Sequence, residues 1–496
     1  MSSGDPPVRG SFARRDVLLV AATTGIVLIA FAARYGYHRD ELYFIASGHH
    51  LAWGYPDQPP FAPALARLMT AIAPHSLMLL RLPSALAAAG AVVLTGLIAR
   101  ELGGDRSAQV LAAVALAVGN FTVGSGHLLS TATFLMPVSA AVVLLSLRAV
   151  RSGNDRLWLA VGVVLGAGLF DSAIPIFLVA GLLLGVAIAG PRRIFASLWL
   201  YAGAAVALLM WVPYLVWQAH HGWPELSVAK SIAAGNSGTS VPRAAFVPLQ
   251  VVMIGFFFAP MYLAGLWRLL RSPAYRWCRA IGVAWVFTEI VFIAQAGKPY
   301  YMSGTFPVAL AAGAPWFLEW SRSDPSRRHA PRLATGLSLI GLVITLPILP
   351  ASVVHDTPIV ALNYDAGETI GWPTFVSEVA HVYRSAPAPE PTIILGANYG
   401  ETAAVDRFGP ALGLPAAYGV QNATSLWGPP PDSSSQAIAI GFDRSQLSPY
   451  FSPIRLATKL DNRVHVDDDE QGAPVWVCTH RLASWAVIWP ELRRYG

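Results

Sequence analysis

Charge is scarce in this sequence of 496 residues: Asp, Glu, Lys and Arg together make up 12%, about half the share found in soluble domains. With 54% apolar residues, that scarcity excludes disorder and argues against a wholly soluble protein. Cysteine is scarcer still. The two present, Cys278 and Cys478, exclude a disulfide framework, and the topology read below puts them on opposite sides of a membrane. A cleavable signal is absent: after Arg14 and Arg15 the apolar run Val17 to Ala33 is too long for one and no small-residue cleavage site follows. The net charge of +6 carries no nucleic-acid signature, because the positive residues sit mostly in short loops between apolar blocks.

Those blocks are about 17–22 residues long, enough to span a bilayer core. Eleven can be read, at 17–34, 79–98, 107–122, 127–147, 157–170, 173–190, 195–217, 246–267, 280–296, 300–319 and 333–350. In lipid the backbone must satisfy its own polar groups, so each is predicted helical. With a cytoplasmic N-terminus, the inside segments hold eighteen arginines and the outside loops only Arg39, Arg67, Lys230, Arg243 and Lys298. This asymmetry fits the positive-inside rule and places the C-terminus outside. The expected fold is mainly α: a polytopic plasma-membrane protein over 1–352, with a first outer loop at 35–76. An extracytoplasmic α/β domain follows at 353–496, where short β-like runs (Thr392–Leu395, Ala437–Ile440, Ile454–Leu460, Val475–Cys478) alternate with helix-like stretches. Gly396 to Glu401 lies between a strand and a helix, but its glycines lack dinucleotide spacing. The outer loop Gln218 to Ala245 reads equally as a lid or a passive connector.

Three polar clusters stand at the outer boundary. The first is Tyr35-Gly-Tyr-His-Arg-Asp-Glu-Leu-Tyr-Phe44. Adjacent helical residues are about 100° apart, so one of Asp40 and Glu41 can face a cavity while the other holds Arg39, His38 or a cation. An acidic pair of this kind is also a common solvated helix cap; its place beside a span and among aromatics favours function. The second is Gly54-Tyr-Pro-Asp-Gln-Pro-Pro-Phe61, a proline-fixed turn that puts Asp57 and Gln58 opposite Asp40. His49 and His50, being adjacent, are poorly placed to chelate one ion. The third is Gly297-Lys298-Pro-Tyr-Tyr301. Lys298 can snorkel to anchor its helix or bind a lipid phosphate, with Tyr300 and Tyr301 packing on lipid or sugar. Arg81 is a second candidate phosphate clamp.

In this order the clusters resemble the membrane glycosyltransferases of the GT-C class. The nearest likeness is glycosyltransferase family 39, with protein O-mannosyltransferases and lipid A aminoarabinose transferases as relatives. Arg39-Asp40-Glu41-Leu-Tyr43 is similar to the family's Asp-Glu motif, Asp57-Gln-Pro-Pro60 to its polar-Pro-Pro element, and Lys298-Pro-Tyr-Tyr301 with Pro307 to its Lys-x-Tyr-Tyr segment. Asn398-Tyr-Gly-Glu401, Asp406-Arg-Phe408 and Asn422 to Gly428 resemble the outer domain of bacterial members. The resemblance implies transfer of a hexose or pentose from a polyprenyl-phosphate donor to an acceptor hydroxyl on a protein, lipid or glycan, with inversion. Asp40 and Glu41 would be the catalytic pair, Asp40 as the base and Glu41 orienting the loop or helping to hold a divalent cation, and Lys298, Arg81 and Arg39 the phosphate-binding cations. Tyr43, Asp57, Gln58, Tyr300 and Tyr301 would contact substrate. No other cofactor is implied. Two segments depart from the family: Ser130-Thr-Ala-Thr-Phe134 lacks its usual Asp or Asn, and Phe170-Asp-Ser-Ala173 has Asp171 and Ser172 where a lysine is usual. A transporter or a non-catalytic scaffold of the same fold is the alternative.

Overall fold

The computed structural model describes residues 7–236, 239–386 and 391–496. Each of the eleven apolar stretches contains helix, although 128–134 and 346–350 are not helical, and the loop helices fall between them. The chain begins with α1 (Arg14–Phe31), the outer-loop helices α2 (Arg39–Gly48) and α3 (Phe61–Ile72), and the long α4 (Leu77–Glu101). It continues through α5 (Arg106–Ala117), α6 (Asn120–His127), α7 (Leu135–Ser152), α8 (Leu157–Leu169), α9 (Pro175–Ala189) and α10 (Leu198–His220). Next come α11 (Pro224–Ala233), α12 (Phe246–Met253), α13 (Ala259–Arg271), α14 (Ala280–Ala294), α15 (Phe306–Arg322), α16 (Ala330–Ser338) and α17 (Gly341–Thr345).

Among the described residues, α4, α7 and α10 are long and apolar enough to cross a bilayer, and two bent pairs raise the number to as many as five. Helices α5 and α6 bend by 57° at the break before Asn120, and α12 and α13 by 91° around Gly255, whose φ of +87° only glycine adopts without strain. Helices α8, α9 and α14 run 13–15 residues, about 20–23 Å at 1.5 Å per residue, short of a full bilayer core. Eleven full crossings are therefore not established by helix length. Boundaries also moved: the stretch predicted from 300 starts with a 3₁₀ segment, Pro299–Thr305, before α15, and that at 333–350 is the broken pair α16–α17.

With little hydrophobic drive between helices in lipid, close approach depends on small residues. A Cβ on Gly265 of α13 would lie 1.8 Å from the carbonyl oxygen of Ala309 on α15, and one on Gly313 of α15 would lie 1.8 Å from that of Met261. Ala309, Leu310, Ala311 and Ala312 are fully buried at this crossing, behind the segment that carries Lys298.

Beyond α17 come three single turns, α18 (Ala351–Val354), α19 (Ile359–Leu362) and α20 (Tyr364–Gly367), then α21 (Trp372–Arg384) and an α/β unit. Its strands are β1 (Thr392–Gly396), β2 (Ala417–Gly419), β3 (Gln436–Ile440), β4 (Ile454–Lys459) and β5 (Pro474–Cys478), in the order β2-β1-β3-β5-β4. β1 pairs in parallel with β2 and β3, and β5 antiparallel with β3 and β4. Four strands match the predicted runs; β2, three residues long, had no run to announce it. Alternate residues serve opposite faces. Ile394, Ile438 and Val475 pack under α21 and α22 (Tyr399–Phe408), while Ile393, Leu395 and Ala437 pack under α24 (Trp485–Leu492); a single turn, α23 (Arg444–Leu447), precedes β4. Cys278 and Cys478 are buried and unpaired.

Gly265→Val should lower the unfolding temperature of detergent-solubilised protein by several degrees, consistent with an overpacking cost of about 1–3 kcal/mol. Gly124→Ala, with nothing within 4 Å of the added Cβ, should leave it within about a degree. Equal melting of both variants would contradict the assigned α13–α15 crossing.

Candidate active site

The first outer loop is fixed from within. Helix α2 opens with a capping box: His38 Nδ1 accepts the Asp40 backbone N–H at 3.1 Å, and Glu41 Oε2 accepts that of His38 at 2.8 Å. Such reciprocal caps satisfy donors that a helix start leaves free. Glu41 also takes Arg81 Nε and Nη2, both at 2.8 Å, and the Leu129 N–H at 3.0 Å. Arg81 of α4 gives its remaining donors to the carbonyls of Ala32 (2.8 Å) and Gly36 (2.7 Å) and to His127 Nε2 (3.4 Å). Both side chains are fully buried. All five guanidinium N–H donors therefore have protein acceptors, and both Glu41 oxygens accept two bonds each. Neither side chain has capacity left for a lipid phosphate or a cation, and no group of three metal-ligating side chains exists among the described residues. Their geometry is that of an anchor for the loop.

Arg39 is similarly engaged. Its guanidinium bonds Asp469, lies 3.4 Å from Glu368, and stacks over Tyr399 (5.4 Å) and Tyr364 (5.8 Å). A Cβ on Gly400 would sit 2.4 Å from Arg39 Cγ, so the glycine of the Asn398-Tyr-Gly-Glu401 string leaves room for the arginine. Arg39 thus docks α2 against the C-terminal unit.

With Glu41 turned inward, Asp40 faces the other way, as the 100° spacing requires. Its Oδ1 accepts the Tyr399 hydroxyl at 2.8 Å. The Tyr399 ring lies 4.6 Å from that of Tyr43, whose hydroxyl donates to Asp57 Oδ1 at 2.8 Å. Asp57 Oδ2 takes Asn422 Nδ2 at 3.1 Å, and Tyr43 oxygen accepts the Ala423 N–H at 3.1 Å. Burial pushes the Asp57 carboxyl up to about 7, with the Asp40 charge adding to the rise against the Tyr43 and Asn422 hydrogen bonds.

Lys298 precedes the 3₁₀ segment that leads into α15, with its ammonium 5.9 Å from the Tyr300 ring centroid. Burial lowers its pKa, and the charges of Asp40 and Asp365 pull it back up. No carboxylate or carbonyl lies within ion-pair or hydrogen-bond reach of it among the described residues, so Lys298 is a half-buried cation that feels the charges of Asp40 and Asp365 without pairing with either. Tyr300 stacks on Phe121 of α6 (6.1 Å, 13°), and Tyr301 packs on Phe292 (5.3 Å).

The structure thus gathers Asp40, Tyr43, Asp57, Lys298 and Tyr300 on one site, with Gln58 beside Asp57, while Arg81, Glu41 and Arg39 hold it together. His50 stacks on Trp427 and His49 contacts Arg67. Sequence reasoning missed Tyr399 and Asn422 as site residues, although both lie in motif strings quoted for the resemblance. It also missed Glu225 of α11, whose carboxyl burial pushes up and the Tyr214 hydroxyl holds down. Gln218 ties the start of the same segment to the second turn through the Tyr55 carbonyl (2.9 Å) and the Glu225 N–H (3.3 Å). The end of α10 is thereby fastened to the second turn.

Residues 57–217 match the family model of dolichyl-phosphate-mannose-protein mannosyltransferases. The chain also has the fold of ArnT from Cupriavidus metallidurans. The structure of ArnT bound to undecaprenyl phosphate superposes with a TM-score of 0.57 at 16% identity over 93% of this chain and 97% of that one. The apo structure gives 0.58 at 16% over 94% and 98%. No curated protein sequence matches the chain. The GT-C resemblance read from the motifs is borne out. The family match opens at Asp57 and contains Gln58, Arg81 and Asp171, whereas Asp40 and Lys298 lie outside it.

Arg81→Ala would strand the buried Glu41 carboxylate, a loss of about 3–5 kcal/mol. It should unfold in detergent well below wild type, and Arg81→Lys should not rescue it, since one ammonium cannot replace a five-donor fork. A fully stable Arg81→Ala with weakened undecaprenyl phosphate binding would return Arg81 to the phosphate. For Asp57, a folded-state pKa of about 7 lies above the ordinary 3.8, so ionisation opposes folding and its penalty grows as pH rises from 4 to 7. Asp57→Asn should therefore gain thermal stability relative to wild type at pH 8 and none at pH 4. A gain equal at both pH values would contradict the assignment.

Proposed function

We propose that the chain is an inverting membrane glycosyltransferase that moves a pentose or hexose from a polyprenyl phosphate to an acceptor hydroxyl at the outer face of the plasma membrane. The observation that carries the reading is Lys298, an ammonium with no acceptor among the described residues, over the Tyr300 ring and in the field of the Asp40 and Asp365 carboxylates. A lipid phosphate supplies the missing anion. The acceptor oxygen attacks the anomeric carbon, Asp40 takes its proton, and the bond from that carbon to the phosphate oxygen breaks on the opposite face. Lys298 then faces the charge that grows on the departing phosphate, where a preplaced cation is most effective. The Tyr399 hydroxyl fixes the Asp40 carboxylate for proton transfer, and Tyr43 and Asp57 hold Tyr399 in place.

The undecaprenyl phosphate bound in the ArnT structure supports the donor class. So does an apolar cavity of about 320 Å³ between α1, α5–α6 and α16–α17, lined by Leu19, Val27, Val118, Val123 and Leu342. It borders α6, the helix whose Phe121 stacks on Tyr300. The reading takes the eleven helical stretches as crossings, with the N-terminus cytoplasmic and the unit from residue 353 outside. The acceptor would enter from that side.

In nanodiscs, wild type should release undecaprenyl phosphate from at least one undecaprenyl-phosphoryl sugar in the presence of membrane extract as acceptor. Asp40→Asn should fold normally and lose at least about 100-fold in rate, the range of a removed general base. Lys298→Ala should weaken undecaprenyl phosphate binding by about ten-fold or more. Ordinary turnover by Asp40→Asn would defeat the base assignment, and unchanged lipid binding by Lys298→Ala the phosphate assignment.

A further inference from the structure

Two polar side chains near the catalytic turn are almost wholly buried yet have unmet hydrogen-bonding capacity. Gln58 is 2% exposed, and neither its amide oxygen nor its amide nitrogen has a partner. Asp171 is 3% exposed, and its Oδ1 has none. A backbone bond from the Phe61 N–H to the Phe170 carbonyl, 2.9 Å, locks the two turns side by side. Among the described residues no Lys, Arg or His lies within ion-pair distance of Asp171. Burial alone pushes its carboxyl well above the carboxylate range.

Leaving such groups unsatisfied costs about 1–3 kcal/mol each. A purely structural pair would be expected to have found partners, as Glu41 and Arg81 did less than one helix away. The amide donates and accepts, and the carboxyl oxygen accepts. That is the complement of sugar hydroxyls, which also donate and accept. An anionic group would meet no cation here. Gln58 follows Asp57, whose carboxylate accepts the Tyr43 hydroxyl, so the turn that carries Gln58 is joined to the Tyr43–Tyr399–Asp40 chain. Helix α10 packs on this turn: the Gln218 amide holds the Tyr55 carbonyl, and a Cβ on Gly54 would meet Tyr214 at 2.8 Å.

We propose that Gln58 and Asp171 form a recognition subsite for the hydroxyls of the transferred sugar. This rests on the glycosyltransferase reading and deepens it: the second cluster selects the sugar while Lys298 takes the phosphate. With no cation in reach of Asp171 among the described residues, the subsite suits an uncharged sugar.

The test is binding, so that it does not depend on turnover. Affinities of the purified protein in nanodiscs are measured for bare undecaprenyl phosphate and for undecaprenyl phosphate carrying glucose, mannose or ribose. Wild type should prefer at least one glycosylated lipid over the bare one by about ten-fold or more, as expected for a site with hydroxyl partners. Asp171→Leu and Gln58→Leu should bring that ratio to within about two-fold without changing affinity for the bare lipid, and the isosteric Asp171→Asn should lose part of it. Lys298→Ala should weaken all the lipids by the same factor. The inference is overturned if wild type shows no preference, if the variants keep it, or if Asp171→Asn loses bare-lipid binding as strongly as sugar-lipid binding. A wild-type preference without turnover would defeat the transferase reading alone.

Discussion

A guanidinium and a carboxylate withdrawn entirely from water, Arg81 and Glu41, hold the site end of this protein together. Burying two charges is costly, and the cost is met only where geometry is good and every remaining donor and acceptor is occupied. Here Arg81 reaches from α4 to the carbonyls at the end of α1 and to the acid on α2, while Glu41 also receives the backbone of Leu129. One ion pair thereby ties two long helices, the first outer loop and the turn before α7. Because Glu41 points in, its neighbour Asp40 must point out.

Everything at the site follows from that orientation. Asp40 meets Tyr399 across 359 residues of chain, and Asp57 meets Asn422 across 365. The C-terminal unit is therefore part of the site's wall, clamped by Arg39 between Asp469 and Glu368. Once Arg81 and Arg39 are engaged, Lys298 is left among the described residues of the site without an ion-pair partner, in the field of Asp40 and Asp365. That division of labour, structural arginines and an unmatched lysine, suits a membrane enzyme. Guanidinium forks lock planar partners, whereas a single ammonium can receive and release a passing phosphate.

Much of this was legible in the sequence. The apolar blocks gave the helices, because a low-charge block of that length has little alternative in lipid. The runs at 392, 437, 454 and 475 became strands because their alternate residues have two faces to cover. The Asp-Glu pair, the Asp-Gln-Pro-Pro turn and the Lys-Pro-Tyr-Tyr segment all lie at the outer site. Roles within the clusters were not legible. Which of Asp40 and Glu41 faces the cavity depends on Arg81, forty residues away, and whether Arg81 is free depends on carbonyls that no sequence pattern marks. Short β2 and the closeness of Phe61 to Phe170 are likewise products of tertiary packing. The departure at Asp171, seen only as the absence of a lysine, has physical content once its burial and lack of a cation are known.

The most direct test of the account is a structure of the protein in nanodiscs with undecaprenyl phosphate bound. The account predicts phosphate density within about 4 Å of Lys298 Nζ, the ion-pair range, on the side facing Asp40, with the Arg81–Glu41 pair intact. Phosphate bound at Arg81 with that pair broken, or bound away from Lys298, would contradict it.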